Sequence, residues 1–249
     1  MRTTLAASLA AFGFLTILPT PRADMPRTAF ARSVGYFPLV GAALGLVVGA
    51  LDAMALRLVP ASVASALDLV ALAALSGGLH LDGLADSADG MLGARTREDR
   101  LAVMRDSRIG AFGAAAVALI LLVEYAALSE LRGGDRLAAL VTGSALARWA
   151  MALALRLFPY ARQEGLGLAF KDGLGTRDPV LATALAALVA FVVSGAGAPL
   201  AIAVAAVVAV GLGRGIAARL GGLTGDSYGA IGEIAFATLL VSFIACQRP

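Results

Sequence analysis

The sequence predicts an all-α protein that is embedded in a membrane and crosses it several times. Apolar residues make up 59% of the 249 residues and charged residues only 15%, and the mean hydropathy is +0.86. Soluble globular domains carry about 25% charged residues, so this chain has too few charges to cover a surface that faces water. The same composition excludes a disordered chain and, with one cysteine, a disulfide scaffold.

Seven apolar segments are long enough to cross a bilayer as helices, because a hydrocarbon core about 30 Å thick requires roughly 20 helical residues. No internal repeat or domain linker separates them, so residues 1–249 are predicted to form a single membrane-embedded domain. The predicted spans are 34–58, 61–81, 110–131, 137–158, 179–196, 198–219 and 229–246.

The apolar segment from Leu5 to Leu18 is shorter than a span, and Pro19 and Pro21 follow it. A secretory signal is the alternative interpretation, but only Arg2 precedes the segment and many spans come after it. We therefore expect a short partial or re-entrant helix at this position, in addition to about seven transmembrane helices.

The distribution of the cations predicts the orientation of the spans. With the N-terminal segment cytoplasmic, thirteen cations lie on the cytoplasmic side and four on the other, as the positive-inside rule requires. The thirteen are Arg22, Arg27, Arg32, Arg95, Arg97, Arg100, Arg105, Arg108, Arg162, Lys171, Arg177, Arg214 and Arg219, and the four are Arg57, Arg132, Arg136 and Arg248. The polar loops 82–109, 159–178 and 220–228 then share the cytoplasmic face, which favours an enzyme supplied from the cytoplasm.

The identity and positions of the cations argue against two function classes, P-loop ATPases and nucleic-acid-binding proteins. A P-loop requires a Gly-Lys-Ser/Thr step, and the only lysine, Lys171, is followed by Asp172. The pI of about 9.5 would suit nucleic-acid binding, but the arginines stand in short loops beside apolar segments, where membrane topology explains them. We therefore expect no nucleic-acid partner.

Three aspartates follow the second predicted span at helical spacing. If the helix continues past Leu81, then Asp82, Asp86 and Asp89 stand at i, i+4 and i+7 on one face. Three like charges repel one another unless a cation lies among them, and carboxylate oxygens suit Mg²⁺, Mn²⁺ or Ca²⁺ better than zinc. The pattern predicts a divalent-metal site, and the alternative is a helix cap or a solvated acidic stripe paired with arginine.

His80, the only histidine, directly precedes this acidic stretch. Mg²⁺ seldom binds imidazole, so we consider an acid–base or metal-supporting role rather than direct ligation. The alternative is an interfacial residue hydrogen-bonded to the backbone.

Five arginines lie within the 14 residues from 95 to 108, and their density suits a phosphate or pyrophosphate substrate. Arg97 and Arg100 are explained by the positive-inside flank and by helical ion pairs, which leaves Arg95, Arg105 and Arg108 as candidate phosphate ligands. Together with the acidic cluster, they indicate metal-assisted phosphoryl transfer.

The two remaining loops carry less specific signals. The first offers Arg162 among flexible glycines, and the second is a glycine-rich turn whose free N–H groups suit an anion. Inside the spans, Glu124, Arg148 and Glu233 are costly charges that we expect to be paired or to face substrate.

The motifs, in their order along the chain, closely resemble those of the cobalamin synthase family, adenosylcobinamide-GDP ribazoletransferase. That resemblance covers essentially the whole chain. It rests on FLTILPTP, GYFPLVGAALG, GGLHLDGLADSADG, MRDSRIGAFG, PYARQEGLG and GGLTGDSYGAIGE.

The resemblance implies a multi-pass enzyme of the bacterial cytoplasmic membrane that uses Mg²⁺. It implies transfer of the cobinamide phosphate of adenosylcobinamide-GDP to α-ribazole or its 5′-phosphate, with release of GMP. It leaves open the oligomeric state, including a homo-oligomer.

Two alternatives stand beside this interpretation. The CDP-alcohol phosphotransferases share a D-x-x-D-G-x-x-A-R signature, but here one additional residue separates Asp89-Gly90 from Ala94-Arg95 and the later acidic pair is missing. An ion-coupled transporter would also use membrane acids, but it predicts acids distributed through the membrane depth.

We therefore expect one or two Mg²⁺ ions on the three aspartates, with Asp106 or Asp226 completing the coordination. A carboxylate or His80 would accept the proton of the attacking hydroxyl. The predicted catalytic residues are Asp82, Asp86, Asp89 and His80, with the three aspartates as metal ligands, and the predicted substrate-binding residues are Arg95, Arg105, Arg108, Arg162, Asp106, Thr224, Gly225 and Asp226.

Overall fold

The computed structural model describes residues 2–20 and 27–247, and it confirms a helical polytopic membrane protein. Arg22 and Arg248, which enter the charge count, lie outside the described residues. The described part contains no β-strand and has twelve α-helices: α1 Arg2–Leu15, α2 Arg27–Arg32, α3 Phe37–Ala55, α4 Ala61–Ser76, α5 Leu79–Gly93, α6 Arg97–Val103, α7 Ala111–Glu130, α8 Gly133–Leu157, α9 Leu166–Asp172, α10 Arg177–Ser194, α11 Ala198–Leu220 and α12 Gly225–Gln247.

Five helical segments are long and apolar enough to cross a membrane, or six if the bent pair α4 and α5 counts as one span. The predicted number was about seven. The predicted spans 179–196 and 198–219 both lie in the segment Arg177–Leu220, which counts as one of the five but contains two helices, α10 and α11.

This long segment folds back on itself beside α8. Along α10, Thr183 accepts a hydrogen bond from the Trp149 indole at 3.1 Å, whereas Ser194 lies 2.8 Å from the Thr142 hydroxyl. The helix α10 therefore runs antiparallel to α8. In α11, Gly213 reaches the ring of Phe158, at the opposite end of α8, so the segment reverses direction between α10 and α11.

The second predicted span, 61–81, is interrupted, and this prediction was wrong. The helix α4 ends at Ser76, and α5 leaves at an angle of 90° to it. The turn consists of Gly77 and Gly78, whose φ angles of +63° and +69° lie in the left-handed region that favours glycine. The three aspartates consequently occupy a helix of their own.

The helix α8 forms the centre of the bundle and is buried along most of its length, with α3, α10, α11 and α12 packed around it. Its closest neighbour is α3, because Gly41 and Gly45 of α3 face the backbone of α8. Small residues at such positions allow helix backbones in membranes to approach and gain dispersion contacts.

The expected short N-terminal helix is confirmed, since Thr4–Leu15 is apolar but too short to span. The backbone N–H of Ile17 donates to the carbonyl of Leu75 at 2.9 Å, which ties this segment to α4. Its Phe14 ring lies 4.8 Å from the ring of Phe170 and 6.0 Å from that of Phe37. The N-terminal helix is therefore part of the core.

Arg136, which the charge count assigns to the non-cytoplasmic side, is buried, because its side chain is only 1% exposed. Its guanidinium forms ion pairs with Asp52 at 2.8 Å and Asp68 at 2.7 Å. It also donates to the hydroxyl of Ser65 and the carbonyl of Leu128. Removing one partner of such a buried network typically costs about 3–5 kcal/mol.

The contact between α3 and α8 leads to a matched pair of substitutions. A Cβ added at Gly45 would lie 2.4 Å from the Leu140 carbonyl oxygen and 2.6 Å from the Val141 Cα, whereas one added at Gly211 meets nothing within 4 Å. We expect Gly45→Ala to destabilise the fold by about 1–3 kcal/mol through overpacking. Gly211→Ala should be neutral or stabilise by up to about 1 kcal/mol, since alanine favours helix. Unfolding in detergent measures both, and equal effects would contradict the packing described here.

Candidate active site

Hydrogen bonds bring the three polar loops together at one end of the bundle, as predicted. The Arg97 guanidinium donates to the carbonyl of Leu220 at 2.7 Å and to that of Ala161 at 3.0 Å. Arg162 donates to the carbonyl of Met104 at 3.2 Å. Arg97, which the sequence analysis attributed to the membrane flank, thus joins all three loops.

Backbone pairing reinforces the junction between the second and third loops. The N–H of Leu223 donates to the carbonyl of Pro159, and the N–H of Ala161 donates to that of Leu223, both at 2.8 Å. This short bridge holds Tyr160 beside the start of α12. Burial raises the pKa of the Tyr160 hydroxyl, so this group remains a hydrogen-bond donor at neutral pH.

The loops and helices enclose a pocket of about 240 Å³. Its floor is apolar, and the buried residues Phe37, Met151, Leu155 and Phe170 contribute to it. Its polar lining consists of His80, Asp82, Tyr160, Arg162, Asp226 and Tyr228. Sequence reasoning missed the apolar floor, because its residues come from α3, α8 and α9 and look like ordinary core residues in the sequence.

The helices α5 and α12 meet along one side of this pocket. A Cβ at Gly83 would lie 2.8 Å from the Asp226 carbonyl oxygen, so the glycine permits the close approach. The approach brings the carboxylates of Asp82 and Asp86 into electrostatic interaction with that of Asp226. Asp82 and Asp226 line the pocket, and Asp86 lies half-buried one turn further along α5. We call these three carboxylates the acidic rim.

Asp89 has a different environment from the other two aspartates. It is buried, and its carboxylate accepts hydrogen bonds from the N–H groups of Gly110 at 2.7 Å and Gly113 at 2.8 Å. These N–H groups belong to the first turn of α7, which has no carbonyl partners for them. Asp89 therefore caps α7, and its carboxylate oxygens accept from the backbone of α7 while it also interacts electrostatically with Asp86. Its role as a metal ligand stays a prediction.

The acidic rim fits Mg²⁺ in its donor type. Within residues 2–20 and 27–247, no three His, Cys, Asp or Glu side chains form a ready-made metal site. Mg²⁺ commonly binds through one or two carboxylates together with substrate phosphates and water. Asp82 and Asp86 supply such carboxylates, so the residues fit a Mg²⁺ ion shared with a phosphate substrate.

The four predicted substrate-binding arginines differ in position. Arg162 lines the pocket and pairs with Asp226 at 3.0 Å. Arg105 is exposed and interacts electrostatically with Tyr160 at the pocket, and Arg95 is exposed between α5 and α6. Arg108 instead forms an exposed ion pair.

The partner of Arg108 is Asp106, 2.6 Å away. The hydrogen bonds from the Arg108 side chain and backbone lower the pKa of Asp106 to about 2. Asp106 was an alternative metal or substrate ligand in the sequence analysis. In the structure, both of its oxygens accept hydrogen bonds from Arg108.

The glycine-rich turn holds the other predicted substrate ligands. Thr224 is fully buried, and its hydroxyl accepts a hydrogen bond from the Ser227 N–H at 3.2 Å, which makes it a cap of α12. Gly225 lines the pocket, and a Cβ there would meet nothing within 4 Å. Of this group, Gly225 and Asp226 lie at the pocket and Thr224 supports them from behind.

His80 is buried with 3% exposure, and its Nδ1 lies 3.4 Å from an Arg148 terminal nitrogen. Because guanidinium nitrogens only donate, Nδ1 must be the acceptor, and the proton of the neutral ring lies on Nε2. In this tautomer the free nitrogen of His80 is a donor, and its role as the proton acceptor stays a prediction. Arg148 also interacts electrostatically with Glu124 and Glu233, and neither carboxylate oxygen of Glu124 has a hydrogen-bond partner within the described residues.

Comparison with known proteins decides the family. The sequence model of the cobalamin-5-phosphate synthase family matches residues 7–244 of this chain. The chain belongs to this family. The adenosylcobinamide-GDP ribazoletransferase of Roseiflexus sp. is 40% identical over 93% of this chain and 88% of its own. The enzyme of that name from Brevibacillus brevis is 33% identical over 96% of this chain and 97% of its own. The one from Klebsiella pneumoniae is 35% identical over 93% of this chain and 98% of its own. No solved structure matches.

Membership of the cobalamin-5-phosphate synthase family confirms the predicted enzyme class. The resemblance to CDP-alcohol phosphotransferases was confined to the segment around Asp86 and Arg95, whereas the family match covers nearly the whole chain. Buried acids do occur in the spans, as a transporter would require, but Asp52 and Asp68 pair with Arg136. Full-length membership therefore favours the transferase.

Asp89→Ala separates the capping role from the predicted catalytic role. The substitution leaves two N–H groups of α7 without their acceptor, so we expect a loss of about 1–3 kcal/mol in unfolding free energy. Glu130→Ala, at the exposed end of the same helix, is the matched control and should change stability by less than about 0.5 kcal/mol. An Asp89→Ala protein with unchanged stability and no turnover would instead support Asp89 as a metal ligand.

Proposed function

We propose that this chain transfers the cobinamide phosphate of adenosylcobinamide-GDP to α-ribazole, or to its 5′-phosphate, and releases GMP. The carboxylate and arginine rim above an apolar pocket is the observation that carries this proposal. Such a rim suits a pyrophosphate, and the pocket suits an apolar part of a substrate. The names of the full-length relatives supply the two substrates.

The reaction is a displacement at phosphorus. The ribose hydroxyl oxygen of the acceptor forms a bond to the phosphorus that carries the cobinamide, while the bond from this phosphorus to the bridging pyrophosphate oxygen breaks. That oxygen leaves with the bonding electrons as part of GMP. The hydroxyl proton passes to a carboxylate of the rim, for which Asp82 and Asp86 are the candidates.

Mg²⁺ is part of the proposal. Asp82 and Asp86 would hold it, with Asp226 as the neighbouring carboxylate, and it would neutralise the negative charge of the pyrophosphate and of the departing GMP. Carboxylate oxygens are the donors that this ion prefers.

The arginines have separate proposed roles. Arg162 lies at the pocket and is held in place by Asp226 and the Met104 carbonyl, so it is suited to bind a phosphate oxygen in a fixed position. Arg105 is exposed and interacts electrostatically with Tyr160 at the pocket, and Arg95 is exposed between α5 and α6. Both would attract the anionic donor. Arg108, engaged by Asp106, is the weakest of the predicted ligands.

The site is proposed to face the cytoplasm of a bacterial cell, with the enzyme in the cytoplasmic membrane. The excess of arginine in the loops at this end of the bundle supports that orientation. Both substrates would then reach the pocket from the cytoplasmic side.

The decisive assay follows GMP release by the purified protein in lipid vesicles. We expect release only when adenosylcobinamide-GDP and α-ribazole are both present with Mg²⁺, and loss of release in EDTA that returns when Mg²⁺ is added. Chromatography should detect one adenosylcobalamin for each GMP released. Release that persists in EDTA would remove the metal from the proposal, and no release from folded protein would contradict the reaction itself.

Asp82→Asn and Asp86→Asn test the rim directly. Each retains the size of the side chain but removes a charge that supports the metal and the developing transition state, so turnover should fall by about 10²-fold or more. Glu130→Gln, an exposed carboxylate at the far end of α7, serves as the control and should retain full activity. Rim variants with wild-type turnover would show that the carboxylates lie outside the reaction centre.

A further inference from the structure

We propose that the 240 Å³ pocket binds the aromatic base of the acceptor, and that the Tyr228 hydroxyl donates a hydrogen bond to the unsubstituted ring nitrogen of that base. The corrinoid and the guanosine of the donor then remain outside the pocket, at its rim. This assignment rests on the proposed function, because it requires an aromatic riboside as the acceptor.

The size of the pocket excludes most of the donor. Pockets that hold a whole drug-sized ligand have volumes of roughly 300–1,000 Å³, and this one has about 240 Å³. A bicyclic base with the near part of its ribose fits such a volume. A corrin macrocycle with its side chains is several times larger and does not.

The lining selects between the two bases that the substrates offer. Phe37, Phe170, Met151 and Leu155 present apolar surface to the pocket. Guanine carries several N–H donors and a carbonyl oxygen, which would lose their hydrogen bonds to water on entering it. A benzimidazole has one unsubstituted ring nitrogen and otherwise only carbon on its surface, so its burial costs far less. The apolar floor therefore favours the acceptor.

One buried polar atom at the pocket matches that single ring nitrogen. The Tyr228 hydroxyl belongs to a residue that lines the pocket, and it has no hydrogen-bond partner within the described part of the protein. The ring nitrogen has one lone pair in the plane of the ring, so it accepts one such hydrogen bond. A buried donor without a partner is costly unless a ligand satisfies it.

The same placement orients the reaction. With the base on the apolar floor, the ribose points outward to the rim, where Asp82 and Arg162 line the mouth. Its hydroxyl then meets the pyrophosphate that lies across the rim. The pocket fixes the nucleophile and leaves the bulky donor in solvent or at the membrane surface.

The first test measures equilibrium binding of α-ribazole to the protein in vesicles without donor, for wild type, Tyr228→Phe and Tyr125→Phe. Loss of one hydrogen bond should weaken binding of α-ribazole to Tyr228→Phe by about two- to tenfold, with Tyr125→Phe, an exposed tyrosine of α7, unchanged. The riboside of the matching indole, which lacks the ring nitrogen, should bind wild type more weakly than α-ribazole does. In Tyr228→Phe the two ribosides should differ less in affinity than they do in wild type. If the ratio of the two affinities is the same in both proteins, the hydrogen-bond assignment is overturned.

The second test fills the pocket. Gly225→Leu places a side chain at the pocket, and Gly215→Leu places the same side chain on the exposed side of α11; neither added Cβ meets an atom within 4 Å. For Gly225→Leu we expect the KM for α-ribazole to rise at least tenfold and the KM for adenosylcobinamide-GDP to change less than twofold. Gly215→Leu should match wild type in both.

The outcomes distinguish this assignment from the reaction on which it rests. A Gly225→Leu protein whose KM rises for the donor alone would place the guanosine in the pocket, and unchanged KM values for both substrates would place neither there. Either result overturns the assignment while GMP release by wild type upholds the reaction. Absence of GMP release in wild type would instead reject the proposed function.

Discussion

The right-angled turn between α4 and α5 is the constraint on which the candidate site depends. Gly77 and Gly78 take left-handed backbone angles in succession, which end one helix and start the next at 90°. A continuous helix would have carried the aspartates straight out of the membrane. The turn instead lays α5 against α12, where Gly83 allows contact with the backbone of Asp226. The carboxylates of two helices thereby meet at one mouth.

Buried charge in this protein is tied to arginine at both ends of the bundle. Arg136 holds Asp52 and Asp68 in the half that contains the start of α8, and Arg148 interacts with Glu124 and Glu233 nearer the site. In a low-dielectric interior an unpaired charge is costly, and the ion pairs of Arg136 link α8 to α3 and α4. Arg148 has a second effect, because it occupies one nitrogen of His80 and so makes the other a donor.

In the proposed enzyme, the apolar floor of the pocket would bind the acceptor and the charged rim would carry out the reaction. The apolar floor comes from helices that also form the core, whereas α5, α12 and the loop of Arg162 supply the charged rim. Core packing suits the positioning of a nucleophile, because an in-line displacement requires the hydroxyl at a defined distance and angle. An open rim suits a donor far larger than the pocket. The placement of both kinds of surface at one mouth agrees with an enzyme that joins a small riboside to a large anionic partner.

The sequence by itself determined the membrane class, the helical fold, the family and the convergence of the loops, because hydropathy, charge bias and motif order are local properties of the chain. It also placed Asp82 and Asp86 correctly on one helix. Only the tertiary structure showed that Asp89 caps α7, that Arg136 is buried, and that Phe37, Met151 and Phe170 form one pocket floor. These roles depend on contacts between segments far apart in sequence, and the same residue type serves as ligand, cap or core according to which helix packs against it.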